Sequence, residues 1–439
     1  MSCLFEVAII EVAKQHHRYL QNTPQKAPIL EVVAEIGSLT LEFTRLSQIT
    51  GDPKWYDAVQ RIMNVFAEEQ SQTLVPGLWP LTVNPLTLNF HEDKRFTIGG
   101  MADSVFEYLS KEYILLSGRS PQYASMHNAM IEAAKSVLLF EPLLPPTTSA
   151  TASTRDLSPL FLGQVNHYDP GGRMHDPQGE HLTCFAGGMF ALGARALRTS
   201  HDSGNHTEDM TVARRLTDGC IWSYLSTPTG IGPEIFRTLP CRFGRDALTS
   251  GAETDGHGQF GNCTWDEERW LQNLVKVPKA VDKEPNGRRQ WAEDNSLTAG
   301  FIQIQDSKYI LRPEAIESVF ILYRTTGDEA LRDYAWRMFQ AITRFTRTNV
   351  AFASLVDVMT TPVSDEKDEM GHPVVNEGVV QTDNMESFWT AETLKYFYLI
   401  FEDPDVVSLD EWVFNTEAHP FRWRSGRGRS RSRGGEMSV

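Results

Sequence analysis

The chain has 439 residues, 41% hydrophobic and 10% aromatic, enough for a substantial core, which excludes a disordered polypeptide or a disulfide-stapled miniprotein. Acidic side chains number 57 against 41 Lys and Arg, and the formal net charge of -16 has the wrong sign for neutralising phosphates, so nucleic acid is not an expected partner. No apolar run approaches the length of a membrane span, and acids stand in the first 20 residues where a signal peptide has none, so no targeting segment is legible.

Taken in chain order, the dominant signal is a helix, a turn and a second helix. Ile36, Leu39, Phe43 and Leu46 fall on one helical face, Thr50-Gly51-Asp52-Pro53 breaks the period, and Ala58, Val59, Ile62, Met63 and Phe66 resume it. Asp52 is placed to cap the second helix, with Pro53 at its first position. A looser copy surrounds Ser117-Gly118, with a helix expected over 122–140. Further pairs are expected where 183–198 runs into 208–225, and where 385–402 runs into a final turn. Near the other end of the chain, Thr326-Gly327-Asp328 repeats Thr50-Gly51-Asp52, with Asp333 and Arg337 in the places of Asp57 and Arg61. Strand signals are sparse, so the expected class is all-α: hairpins whose apolar faces are covered only by stacking, in a solenoid or a closed α/α toroid. Irregular spacing favours the toroid. The stretches 143–160 and 241–290, rich in Gly, Pro, Ser and charge, read as loops or inserts crowding one end of it. Residues 1–421 form one expected domain with an atypical start over 1–33, and 422–439, with six arginines and one acid, form an expected disordered tail.

Acids interrupt apolar helical stretches at Glu35, Asp103, Glu314, Glu317, Glu386 and Glu392. For any single one, a solvated face or an Arg partner is the simpler explanation; together they point to a carboxylate-lined cavity. Two carboxyl groups with a water between them are the machinery of an inverting glycosidase, and Phe388 and Trp389 would suit the apolar face of a sugar. Competing motifs lack context. Gly256-His-Gly258-Gln-Phe-Gly261 follows no strand, and the cluster from His175 to His181 lacks zinc-protease spacing, its first half reading as surface loop. Five cysteines leave room for one or two disulfides, and Asn205-His-Thr207 and Asn262-Cys-Thr264 fit the N-glycosylation pattern.

Several segments resemble the class I α-1,2-mannosidases of glycoside hydrolase family 47. They include AEIGSLTLEFTRLSQITGD, GGMADSVFEYL, GEHLTCFAGG, GIGPEIF, LRPEAIESVF, MESFWTAETLKYF and FNTEAHPF, spread over residues 34 to 421. The resemblance implies an (α/α)7 barrel holding Ca2+ and removing terminal α-1,2-linked mannose from high-mannose N-glycans by inversion, in the Golgi or endoplasmic reticulum lumen or after secretion. It implies Asp103 as a catalytic acid, Glu314 as general base and Thr416 as the residue that ligates calcium directly. Glu35, Glu317, Glu392 and Glu417 match the acids of the cavity, and His181, Arg312, Pro313 and Phe388 match residues near the sugar. Cys184 and Cys220 match the family disulfide. Met101 occupies the place of an Arg found in enzymes that take one particular mannose, so broader Golgi-like trimming is expected. Leu4-Phe5-Glu6 resembles an (L/V)FE-x-x-IR motif whose Glu is catalytic, but Ile10 replaces its Arg and the distance to Glu35 is short. A chain truncated within its first hairpins is therefore expected, with Glu6 a third catalytic candidate. The alternative reading is a catalytically impaired mannose-glycan-binding protein of the same fold. A helical scaffold for protein partners is the third.

Overall fold

The computed structural model describes residues 27–146, 157–168, 172–197, 203–248, 263–284, 286–360 and 378–423. Twelve α-helices occur among the described residues: α1 (Val33–Gly37), α2 (Thr40–Thr50), α3 (Lys54–Glu69), α4 (Asp103–Leu115), α5 (Pro121–Val137), α6 (Phe185–Ala196), α7 (Ser203–Leu225), α8 (Glu267–Gln272), α9 (Gly287–Asp294), α10 (Glu314–Thr326), α11 (Ala330–Thr346) and α12 (Leu394–Phe401).

Burial separates two kinds of helix. α3 and α11 each bury one stripe, Val59, Ile62, Met63 and Phe66 in α3, and keep their other face in water. α4, α6 and α10 are instead buried along nearly every face, charged residues included. These form an inner ring, in which α4 packs on α6, α6 on α10 and α10 on α12, while α5, α7 and α11 back them from outside as hairpin partners. Gly187 and Gly188 let α6 sit tightly in this ring: a Cβ on Gly187 would come 2.4 Å from Thr217 Oγ1, and one on Gly188 2.9 Å from Ile321 Cδ1.

The repeated Thr-Gly-Asp turns are built alike. Gly51 and Gly327 end α2 and α10, both at φ 72°. Asp52 Oδ1 then accepts from the Lys54 N–H at 3.1 Å, and Asp328 Oδ1 from the Ala330 N–H at 3.2 Å, starting the next helix.

The all-α expectation needs one correction. Five small antiparallel sheets occur among the described residues, with strands of two to six residues, too short for alternating hydrophobicity to register. His175, expected in a surface loop, lies in the strand Gly172–Asp176, paired with Gln164–Tyr168. The expected insert over 241–290 contains α8 and the start of α9, which together gather Trp270, Leu271 and Ala292 around a satellite core with Leu143 and Leu239. At the C-terminal end, Trp412–Phe414 pairs with Pro420–Arg422 and the Trp423 N–H bonds the Glu411 carbonyl, so ordered structure runs two residues past the expected end at 421. Residues 1–26 with Glu6, the stretch Gly256–Gly261, Asn262 and most of the Arg-rich tail lie outside the described residues.

Candidate active site

Inner elements bring their N-terminal ends together, and the sequence puts a functional candidate at or just before the first turn of each, with α1 beside them through the Ala34 N–H to Met101 carbonyl bond. Glu35 is in α1, Asp103 opens α4, His181 precedes the short 3-10 turn leading into α6, and Glu314 opens α10. Glu392 lies in a single π turn, Trp389–Thr393, just before α12. Helix N-termini carry unpaired N–H groups and a positive dipole end, a setting that favours carboxylates.

Three non-glycine residues with left-handed backbone flank these side chains: Met101 (φ 73°), Leu311 (φ 70°) and Ala418 (φ 55°). Each has its carbonyl held by another element. The Met101 carbonyl accepts from the Ala34 N–H at 3.1 Å, that of Leu311 from Thr393 Oγ1 at 2.7 Å, and that of Ala418 from Lys395 Nζ at 2.7 Å. Such conformations cost about 1–3 kcal/mol each and persist where the surroundings over-determine them. Here they aim Asp103, Glu314 and the Thr416-Glu417 turn.

Glu314 is the most constrained of the carboxylates. Its Oε2 lies 3.2 Å from His181 Nδ1, and His181 Nε2 lies 2.7 Å from the Tyr224 hydroxyl. Arg312 donates to Glu314 Oε1 at 3.4 Å and, more tightly, to Glu234 Oε2 at 2.6 Å. Arg312 therefore acts as a fork between two buried acids, which fixes the carboxylate plane. Asp103 is less enclosed: burial, with Glu107 and Glu314 nearby, raises its carboxyl from 3.8 to about 6 despite the Ser104 N–H. Burial lifts Glu392 to about 8, helped by Glu317, Glu314, Glu107 and Glu417. Glu317 rises to about 7 through burial, opposed by Lys111.

The Asn415–His419 turn enters the ring from the C-terminal hairpin. Asn415 Oδ1 accepts from the N–H groups of Glu417 (3.1 Å) and His419 (2.6 Å), while its Nδ2 donates to Glu42 Oε1 at 2.8 Å. Tyr108 donates to the same Glu42 oxygen at 2.8 Å and accepts from the Thr416 N–H at 3.1 Å. The Thr416 N–H is thus tied to α4 through Tyr108, and the neighbouring Asn415 side chain ties the turn to α2 through Glu42.

Two expectations change. Trp389 is fully buried with its ring 4.8 Å from Phe352, so it is core and offers no face to a sugar; Phe388, partly buried, keeps that option. Glu386 accepts from Asn384 at 2.8 Å in an exposed loop and takes no part in the cluster. Glu35 and Glu417 are exposed, and of the two Glu417 bears on Glu392 from the solvent side of the cluster. Glu42, Glu107, Lys111, Tyr108, Tyr224, Glu234 and Asn415 were not singled out from the sequence. The i, i+4 series Asp103, Glu107, Lys111 was the legible sign of a charged inner face. Cys184 and Cys220 are joined by a disulfide, and so are Cys241 and Cys263.

Among the described residues, one group of three acid, His or Cys side chains has its ligand atoms within 4.8 Å: Glu141, Cys241 and Cys263. Its sulfurs are spent in the second disulfide, so it is no metal centre. The cavity carboxylates are spread wider. Their carboxylate oxygens suit a hard cation held largely through its own waters.

Glycosyl hydrolase family 47 matches residues 7–423. The chain belongs to this family. It is 32% identical to the mannosyl-oligosaccharide alpha-1,2-mannosidase IA of Spodoptera frugiperda over 392 residues, 89% of this chain and 44% of that protein. With the endoplasmic reticulum mannosyl-oligosaccharide 1,2-alpha-mannosidase of Homo sapiens it shares 30% identity over 390 residues, 88% of this chain and 43% of that one. The alpha-1,2-mannosidase from Trichoderma reesei has a similar structure, with TM-score 0.65 and 29% identity, covering 92% of this chain and 68% of that one. The fold of this family 47 chain is accordingly the (α/α)7 barrel that its sequence motifs imply. The chain spans about half the length of the curated relatives it matches.

Proposed function

We propose that this chain is an inverting, Ca2+-dependent α-1,2-mannosidase that removes terminal α-1,2-linked mannose from high-mannose N-glycans, with residues through 421 acting as one glycosidase domain. The observation that carries the reading is the convergence of Asp103, Glu314 and the carboxylates around the Thr416 turn at the N-terminal ends of the inner helices of a family 47 barrel.

Asp103, protonated in a good fraction of molecules below pH 6, donates its proton to the glycosidic oxygen as the bond to the sugar breaks. Glu314, held in plane by Arg312 and His181, takes a proton from the water that attacks the opposite face of the sugar. Glu6, the other candidate acid, lies outside the described residues. Thr416 would hold Ca2+ through its hydroxyl and carbonyl, with Glu317, Glu392 and Glu417 facing the ion's waters. When bound, the ion supplies a fixed positive anchor for oxygen ligands. Glu35, Pro313 and Phe388 line the approach to the sugar in this reading, and Met101 in place of a cationic side chain favours broad trimming. Two disulfides support residence in an oxidising compartment, the secretory pathway; no helix among the described residues is long and apolar enough to cross a membrane.

The test is release of free mannose from a Man9-type glycan by the purified chain, first with Ca2+ and then with excess EGTA. Calcium-dependent release is the expected result. A folded chain that binds the glycan and releases nothing would be the impaired glycan-binding protein, and one that neither binds nor releases would end both readings.

A further inference from the structure

Lys111 is 2% exposed, in the third turn of α4, where an ammonium is tolerated only if its charge is matched. It donates to Glu107, one turn back on the same helix, and to Glu317 of α10 at 3.2 Å. Burial alone would lower its pKa; the two carboxylates hold it well above the usual lysine value. Glu107 and Glu317 in turn act on the groups nearer the opening, since Glu107 bears on Asp103 and both bear on Glu392.

We propose that Lys111 is a positioning residue of the active site: its buried ammonium keeps Glu107 and Glu317 together as a carboxylate pair beneath the cavity, and this pair sets the field around Asp103 and Glu392. The proposal rests on the mannosidase reading for its catalytic consequence, though not for the charge arrangement itself. Other elements packed on α4 bring few competing charges to this point. α1 carries Glu35, which is exposed; α2 carries Glu42, committed to Tyr108 and Asn415; α5 carries His127, against Gly193; α6 carries Arg195, paired with Asp410. On the far side of Glu317 lie Glu314 of its own helix, Tyr396 of α12, which bonds it, and Glu392 of the π turn. Without the ammonium, two buried carboxylates would repel each other and take up protons, becoming donors where the site needs acceptors.

The experiment compares Lys111→Met, which keeps the volume and removes the charge, with Lys111→Arg, which keeps the charge in a larger head. Melting temperatures of the calcium-free chains are measured from about pH 5 to about pH 8. With the ammonium gone, both carboxylates have their folded pKa raised, so the Lys111→Met deficit should widen steadily as pH rises, while Lys111→Arg should show a pH-independent offset. In mannose release, Lys111→Met should lose kcat about tenfold or more at acidic pH, with the acid limb of the profile moved to higher pH, and Lys111→Arg should restore the limb. A Lys111→Met deficit that does not change with pH, or a limb that Lys111→Arg shifts as far as Lys111→Met does, would overturn the proposal. If Lys111→Met does not fold, the Lys111→Arg profile alone decides. Absence of mannose release by the unaltered chain would sink the mannosidase reading while leaving the melting comparison to judge Lys111.

Discussion

Asp103→Asn separates what the site costs from what it does. The Asp103 carboxyl goes from 3.8 to about 6 on folding, chiefly through burial. At about 1.4 kcal/mol per pH unit, the ionised form destabilises the fold by roughly 3 kcal/mol, an upper bound because solvent reaches part of the group. The sign follows from proton binding. Between the two pKa values the folded chain holds more protons than the unfolded one, so stability falls as pH rises towards 6, and the deficit is complete above it. Asn has the same shape and no charge. It keeps some desolvation cost, so a net gain of about 1–3 kcal/mol is expected near pH 7.5, shrinking by pH 5. Urea unfolding of both chains at the two pH values, with Ca2+ chelated, reads the difference through the transition midpoint. Loss of the proton donor should at the same time lower kcat by about 10²–10⁴. A variant no more stable than the parent at pH 7.5, or one that keeps its turnover, would refute the reasoning.

Three further outcomes are expected. Replacing both Cys184 and Cys220 by Ala opens a loop with sequence separation 36 and should cost about 4 kcal/mol in urea unfolding, and a loss under about 1 kcal/mol would show that native strain offsets the cross-link. Thr416→Ala should lower the rise in melting temperature on adding Ca2+, without affecting the calcium-free melt; an unchanged rise would remove Thr416 from the ion site. Trp389→Ala should cost about 3–5 kcal/mol as a core cavity while leaving the KM for glycan unaltered in the folded fraction, whereas a selective rise in KM would return Trp389 to the sugar.

Sequence reading was most dependable where the physics is local. Thr-Gly-Asp predicts the same turn twice because a left-handed glycine and an Asp that accepts from the N–H two residues on are properties of three or four adjacent residues. It was least dependable where the apolar pattern served two purposes. Phe388 and Trp389 are equally aromatic neighbours, yet the π turn buries one and leaves the other partly open. The short strands leave no legible period because two to six residues do not establish one, although they carry Glu180 into His181 and lead from Glu234 into the Ile235 strand.

By itself, then, the amino-acid order determined the helical hairpins, the acids within apolar helices, and a motif set belonging to one glycosidase family. Which of those acids meet was decided by closure of the ring. Glu317 finds Lys111 across 206 residues, Arg312 divides itself between Glu314 and Glu234, and Asn415 reaches Glu42 across 373. No local propensity encodes such pairings. They arise because packing the apolar faces of successive hairpins leaves their polar first turns facing one another, where each charge must find a partner, a proton or a ligand.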